Sequence, residues 1–332
     1  MPRSRERWID QVRETLERAG FFVSDTHGIR PSSFDLAARR DATLLLVKVL
    51  KNIDALDADE AARLLELGRL FPAIALVIGQ SSGSAELATG VVYTRYGVPI
   101  VRQETLQEYL DKALPPFLYA SPGGTFARVD GERLRLLRIG RGLSLGALAG
   151  IAGVSRRAVQ LYEEGAGAEV EVIERIEEFL GEPVVRPIDL FEARPRTKPG
   201  TAPATDAPGP GARKGKTGAK PAPTGDALAD GMIAQLDDLG LEVTVTVRAP
   251  FDALARTPEI LLASSGSLRA ALHRAEILHG LARVAEGHAM FIVREAFHRE
   301  SISGVPILSV NELKRHRDRD DFLDAITERE GP

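Results

Sequence analysis

Residues 131–165 read GERLRLLRIGRGLSLGALAGIAGVSRRAVQLYEEG, and their spacing decides how the rest of the chain is read. Leu134, Leu137 and Arg138 fall on the period of a first helix. Ser144 can cap a second helix, Gly153 stands where two short helices must turn sharply, and Ser155 can cap a third. On the third helix Ala158, Val159 and Tyr162 share one face, while Arg156, Arg157 and Gln160 fall outside it. The pattern predicts a helix-turn-helix that shows two guanidiniums and an amide near the start of its third helix. Arginine can donate two bonds to guanine O6 and N7, and glutamine can pair with adenine, so these side chains suit readout of double-stranded DNA in the major groove. A three-helix packing module with a solvated arginine pair is the plainer reading, but the fixed spacing across both helices and the turn weighs against it. The candidate DNA-binding residues are Ser144, Leu145, Ser155, Arg156, Arg157 and Gln160.

Outward from this segment lie two stretches of α/β character. In the first, Trp8, Val12, Leu16 and Ala19 recur at helical spacing and stop at Gly20. Strands are predicted at 21–23, 34–38 and 44–50, the last two close enough for a hairpin, then a helix at 58–70, strands at 73–78 and 98–101, and a helix at 104–114. Buried apolar strands alternating with helices indicate an α/β domain. The second stretch repeats the first. Leu16-Glu17-Arg18-Ala19-Gly20-Phe21 is echoed by Leu236-Asp237-Asp238-Leu239-Gly240-Leu241, Phe34-Asp35 by Phe251-Asp252, and Gly97-Val98-Pro99-Ile100 by Gly304-Val305-Pro306-Ile307. Between them, residues 193–225 are rich in Pro, Gly, Ala and Thr, with seven Lys and Arg against Asp206 alone, which predicts an extended basic linker. The expected organisation is an α/β domain over 1–116, an all-α helix-turn-helix domain over 122–190, a disordered linker over 191–226 and a divergent second α/β copy over 227–332.

The central segment resembles the lambda-repressor/Cro class of helix-turn-helix domains, with Ile173, Ile176, Phe179 and Leu180 continuing the match into a fourth helix. It departs from that class at Leu145, where many members carry a glutamine that reaches DNA. With Ser121-Pro122-Gly123-Gly124 before the helices and VRPIDL (185–190) after them, the order resembles an archaeal family of helix-turn-helix transcriptional regulators. The resemblance implies a DNA-binding regulator, and a homodimer on two half-sites. The first α/β stretch resembles the restriction-endonuclease/Holliday-resolvase fold, whose active members place an Asp on one strand and acid-x-Lys on the next to hold Mg²⁺. Asp35 and Lys48 match two of those three places, and Leu46 stands where the second acid belongs. The resemblance therefore implies a vestigial site, with Asp35 and Lys48 left as an ion pair, no catalysis and no resident metal. A nuclease or repair enzyme targeted by the helix-turn-helix is the alternative.

The whole-chain balance says less. A net charge of −4 over 332 residues confines any nucleic-acid affinity to a local patch. The absence of cysteine removes disulfides, thiol nucleophiles and Cys-ligated zinc, and fits a cytoplasmic protein. His27, His273, His279, His288, His298 and His316 show no metal-ligand spacing, and neither Gly123-Gly124 nor the glycines at 140–142 carry a phosphate-loop lysine, so no cofactor is expected. No stretch is apolar enough for a signal or a membrane span. The residues name no effector.

Overall fold

The computed structural model describes residues 2–25, 32–192, 224–294 and 299–330. His27, Arg30, Pro31, His298 and the predicted linker from 193 to 223 lie outside the described residues. In chain order the elements are α1 (Pro2–Arg18), β1 (Phe22–Asp25), β2 (Leu36–Arg40), β3 (Thr43–Asn52), α2 (Ala58–Leu70), β4 (Ile74–Ser82), β5 (Ala85–Glu86), β6 (Val91–Arg95), β7 (Val98–Val101) and α3 (Gln103–Lys112). Next come β8 (Leu118–Ser121), β9 (Gly124–Arg128), α4 (Gly131–Gly140), α5 (Leu145–Ala152), α6 (Arg156–Glu163), β10 (Gly167–Glu169) and α7 (Val170–Leu180). The last third holds α8 (Ala227–Asp238), β11 (Glu242–Val245), β12 (Ala253–Arg256), β13 (Ile260–Gly266), α9 (Leu268–Ala285), β14 (His288–Val293), β15 (Ser301–Ile302), β16 (Val305–Ser309), α10 (Val310–Leu313) and α11 (Arg319–Arg329). These group into two compact units, one of residues 1–49, 62–75 and 208–332, the other of 50–61 and 76–207.

In the first unit, α1 buries Ile9, Val12 and Leu16, and the chain reverses through Gly20 at φ 84° so that Phe21 can start the sheet. Trp8, expected on that face, is only half-buried. β2 and β3 form the expected hairpin, pairing Leu36 with Val47 and Ala38 with Leu45. Further on, β11, β12 and β13 are antiparallel, and β13, β14 and β16 run parallel with β15 on the edge. Beneath them α8 and α11 close a core of Met232, Leu236, Leu261, Met290, Phe322 and Ile326.

The two ends of the chain meet inside this unit through α9. It packs on β13 and β14 and also on β1 and β2. A glycine inside a helix costs about 1 kcal/mol relative to alanine, and Gly280 sits mid-helix because a Cβ there would lie 2.5 Å from the Ser24 hydroxyl. Arg283 stands 4.6 Å from the Phe22 ring centroid, Arg39 donates to the Val284 carbonyl and pairs with Glu286, and Ser33 N–H donates to the Arg248 carbonyl. Leu281, Val284 and Ala285 of α9 line one small apolar cavity with Phe34, Ala37, Leu44 and Leu46, while Phe71 meets Phe251 edge-on at 5.7 Å.

His288, at the start of β14, fastens the C-terminal helix. Its Nδ1 lies 2.7 Å from Glu330 and its Nε2 2.8 Å from Glu259. A ring bonded to carboxylates at both nitrogens needs both protons, and the Glu330 bond accordingly lifts its pKa, against the opposing effect of burial. The folded pKa is above the unfolded one, so this latch contributes fully below about pH 6.5 and is lost as pH rises through the folded value. Thermal unfolding at mildly acidic and at alkaline pH should show wild type gaining stability on the acid side relative to His288→Ala. Parallel profiles would refute the latch.

The second unit carries a ladder ordered β4-β7-β6-β8-β9-β10, with β5 as a short hairpin on β4. β4 and β7 pair in parallel (Val77 with Ile100), and β6 pairs with β8 in parallel (Val91 with Leu118). The Ser121-Pro122-Gly123-Gly124 segment is the turn between β8 and β9, where Gly123 adopts φ 102°. β10 lies between the third and fourth helices of the central segment and pairs with β9 (Gly167 with Arg128). The sequence reading anticipated β4, β7 and α3 but none of β6, β8, β9 or β10.

Candidate nucleic-acid interface

The helix-turn-helix is built from local signals. Ser144 accepts from Ala147 N–H at 3.0 Å and Ser155 from Ala158 N–H at 3.1 Å, so each hydroxyl satisfies one orphan donor at a helix start. Gly153 ends α5 at φ 71°, with Arg175 Nε bonded to the Ala152 carbonyl beside it. Leu134, Leu148, Ala152, Val159, Ile173, Ile176 and Leu180 form the core, joined by Ala127 of β9 and Ala168 of β10. Gly131 permits the close approach of α4 to α6, since a Cβ there would lie 2.3 Å from the Glu163 carbonyl oxygen. Arg138 clamps Glu163 through two bonds and also donates to the Leu143 carbonyl. The Glu163 bond raises its pKa further, so this arginine is committed to the fold.

The candidate contacts divide by surroundings. The Arg156 and Arg157 side chains are exposed and have no hydrogen bond or ion pair among the described residues. Gln160 is exposed and donates from Nε2 to Glu164 at 3.0 Å. The Ser144 and Ser155 side chains are engaged as caps. Leu145 is half-buried and packs against the core, which gives it a packing role the sequence did not distinguish from a contact with DNA. Phe179, one of the residues that continue the match into the fourth helix, is 43% exposed.

The residues that the sequence reading took as a vestigial site, Asp35, Leu46 and Lys48, lie in the first unit. Asp35 N–H donates to the Val47 carbonyl, and Asp35 Oδ2 accepts from Val49 N–H at 2.8 Å. Both carboxylate oxygens also accept from Arg5 Nη2 at 2.9 Å, and Arg5 bonds to the Val49 carbonyl as well. Lys48 Nζ donates to the Ser32 carbonyl at 3.0 Å. Leu46, two residues before Lys48 and therefore on the same strand face, is 1% exposed and lines the cavity capped by α9. These residues do not fit a divalent ion, because a guanidinium from α1 already occupies Asp35 and the second anchor is a buried leucine. Sequence reasoning missed Arg5; nothing in its spacing marks it. Among the described residues no group of three His, Asp or Glu side chains could hold a metal ion, and no helix is long and apolar enough to cross a membrane.

Asp35→Ala is expected to act on stability. It leaves the Arg5 charge without its carboxylate, with only the Val49 carbonyl to accept from it, and removing one partner of a largely buried pair costs roughly 1–3 kcal/mol once partial exposure is discounted. A denaturant midpoint unchanged from wild type would contradict the pairing.

Residues 5–116 match the family model for a PD-(D/E)XK superfamily domain, and residues 134–185 match a helix-turn-helix model. Three archaeal proteins align over nearly the whole chain. That of Methanocella arvoryzae, named "Putative HTH-type transcriptional regulatory protein", is 36% identical over 330 residues, covering 98% of this chain and 97% of its own. Those of Halorubrum lacusprofundi and Halobacterium salinarum carry the same kind of name and are each 36% identical, covering 98% of this chain and 98% of theirs. No solved structure matches.

Proposed function

Because the chain belongs to the archaeal family of HTH-type transcriptional regulatory proteins that these relatives represent, we propose that it regulates transcription by binding double-stranded DNA at specific sequences through α6. The observation that carries this reading is the pair of exposed, unpartnered guanidiniums of Arg156 and Arg157 on a helix whose opposite face is locked into a core. Arg156, Arg157 and Gln160 contact bases or phosphates. Ser144 and Ser155 hold the two helix starts whose free N–H groups favour phosphate. A homodimer would place two such helices on half-sites about one helical turn apart. In this reading the protein works on double-stranded DNA in the cytoplasm and needs no cofactor. Selection of bound fragments from a random duplex pool tests the reading, and a pool that returns no enriched sequence refutes it.

The match to a nuclease-like domain favours a second reading, an enzyme, but the site residues argue for a scaffold. The C-terminal stretch is read as a divergent second copy because its sequence echoes the first. Asp252 N–H donates to the Ala263 carbonyl, and Asp252 Oδ2 accepts from Ser265 N–H, as Asp35 does with Val47 and Val49. This correspondence sets Leu262 at the place of Leu46 and Ser264 at the place of Lys48. Neither copy then carries the second acid, and purified protein should leave DNA uncut in Mg²⁺ or Mn²⁺. Cleavage that Asp35→Ala abolishes would reverse this.

A further inference from the structure

We propose that Leu161 is a specificity-determining residue of α6, which packs against the 5-methyl group of a thymine in the major groove; this rests on the reading of α6 as the recognition helix. The geometry of the helix singles it out. At about 100° per residue, Ala158, Val159, Tyr162 and Glu163 occupy one side of α6, where Val159 and Tyr162 join the core and Glu163 is held by Arg138. The opposite direction falls among Arg157, Gln160, Leu161 and Glu164, and all four side chains are exposed. Three of them are polar or charged. Leu161 is the apolar one, and 37% of it stays open to solvent although its neighbour Tyr162 packs inward.

An exposed leucine on an ordinary surface carries little meaning. This one stands where base edges would be met, and its neighbours narrow what it can meet. Gln160 Nε2 is bonded to Glu164 at 3.0 Å, which brings a carboxylate onto the same face. A carboxylate repels phosphates, whereas on a base edge it can accept from cytosine N4. The Gln160–Glu164 end of this face therefore suits the groove floor better than the backbone, and Leu161 lies within it. The major groove offers an apolar side chain one distinctive target, the thymine methyl. Arg157 and Leu161 are four residues apart, about 6 Å along the helix, and base pairs stack every ~3.4 Å. The thymine is thus expected within about two base pairs of the position that Arg157 reaches.

The test uses the full-length protein and the duplex selected from the random pool, with each thymine in turn replaced by 2′-deoxyuridine. Uracil pairs as thymine does and lacks the methyl group alone. Wild type should lose roughly fourfold in affinity at one thymine position, the loss expected when a single buried methyl is removed. Leu161→Ala should bind the thymine and uracil duplexes alike at that position. Leu161 is partly covered, so the alanine variant also gives up some packing, but the thymine-to-uracil ratio is taken within each protein and does not depend on that loss. Leu161→Asn, close in volume and polar, should lose the ratio as well and serves as a second variant. A selected site without a thymine, or a wild type indifferent to every uracil, overturns the proposal. So does a ratio that persists in both variants, because the methyl then meets another side chain. A pool that returns no enriched sequence sinks the regulatory reading itself, which is a different result from an enriched site whose methyl groups do not matter.

Discussion

Arg156→Ala and Arg157→Ala are expected to weaken binding to the selected duplex, and to do so in two different ways. The side chains are neighbours at the start of α6, pointing about 100° apart, so they do not reach the same base pair. The one that reads a base edge is worth roughly 1–3 kcal/mol on the preferred site, or about 5- to 150-fold, and its loss relaxes discrimination at one position. The one that meets a phosphate weakens all sequences alike, and its loss flattens the salt slope by about one. Neither side chain has another bond to lose among the described residues, and neither contributes to the buried core. The substitutions should therefore leave the melting temperature where it is, which separates lost recognition from lost folding. Affinities for selected and scrambled duplexes at two salt concentrations read both effects. If neither substitution moves either affinity, α6 is not the recognition helix.

Leu46→Glu is the second large effect, and it runs against what a repaired nuclease motif would promise. Restoring an acid two residues before Lys48 recreates the order of an active site in the sequence. The structure places that carboxylate among Phe34, Leu44, Leu281 and Val284, away from water. An uncompensated buried charge costs roughly 3–5 kcal/mol, and the group escapes part of that by staying protonated, with its pKa raised. Because the folded pKa then lies above the unfolded one, the deficit against wild type is largest at neutral pH and shrinks as pH falls below the ordinary glutamate range. Leu46→Met, close in volume, should cost less than about 1.5 kcal/mol. Denaturant unfolding of both variants at neutral and acid pH measures this. A Leu46→Glu protein as stable as wild type that binds Mg²⁺ would show that α9 does not close this face.

The parts of the fold legible in the sequence are those written in neighbouring residues. Ser144, Gly153 and Ser155 announce the helix-turn-helix because caps and a left-handed turn act within four residues of themselves, and the Phe34-Asp35 to Leu46-Lys48 hairpin follows from two apolar runs separated by a short polar turn. Of the missed strands, β10 depends on a distant partner. β10 is a three-residue segment that becomes a strand only because β9 lies beside it. Arg5 reaches Asp35 across 30 residues, and no periodicity links them. Gln160 and Glu164 stand at i,i+4, so their bond could have been read from the start. Gly280, in the middle of an 18-residue helix, was the available hint that α9 meets a second surface.

The ladder that runs from β6 through β8 and β9 to β10 bears on how the DNA-binding half can be handled as a part. A cut at residue 122, where the helical segment begins by composition, would leave β8 behind and strip β9 of the partner that pairs Tyr119 with Phe126. Both fragments would then carry a bare strand edge, a ready template for pairing with other chains. A graft that transfers only residues 131–185 to another scaffold also leaves out Ala127, which belongs to the same core as Val159 and Ile176. The portable piece is therefore larger than its helices: β9 brings β8 and β6 with it, β6 brings β7, and β7 is covered only by β4, so the recognition helix travels with a strip of sheet that starts no later than β4.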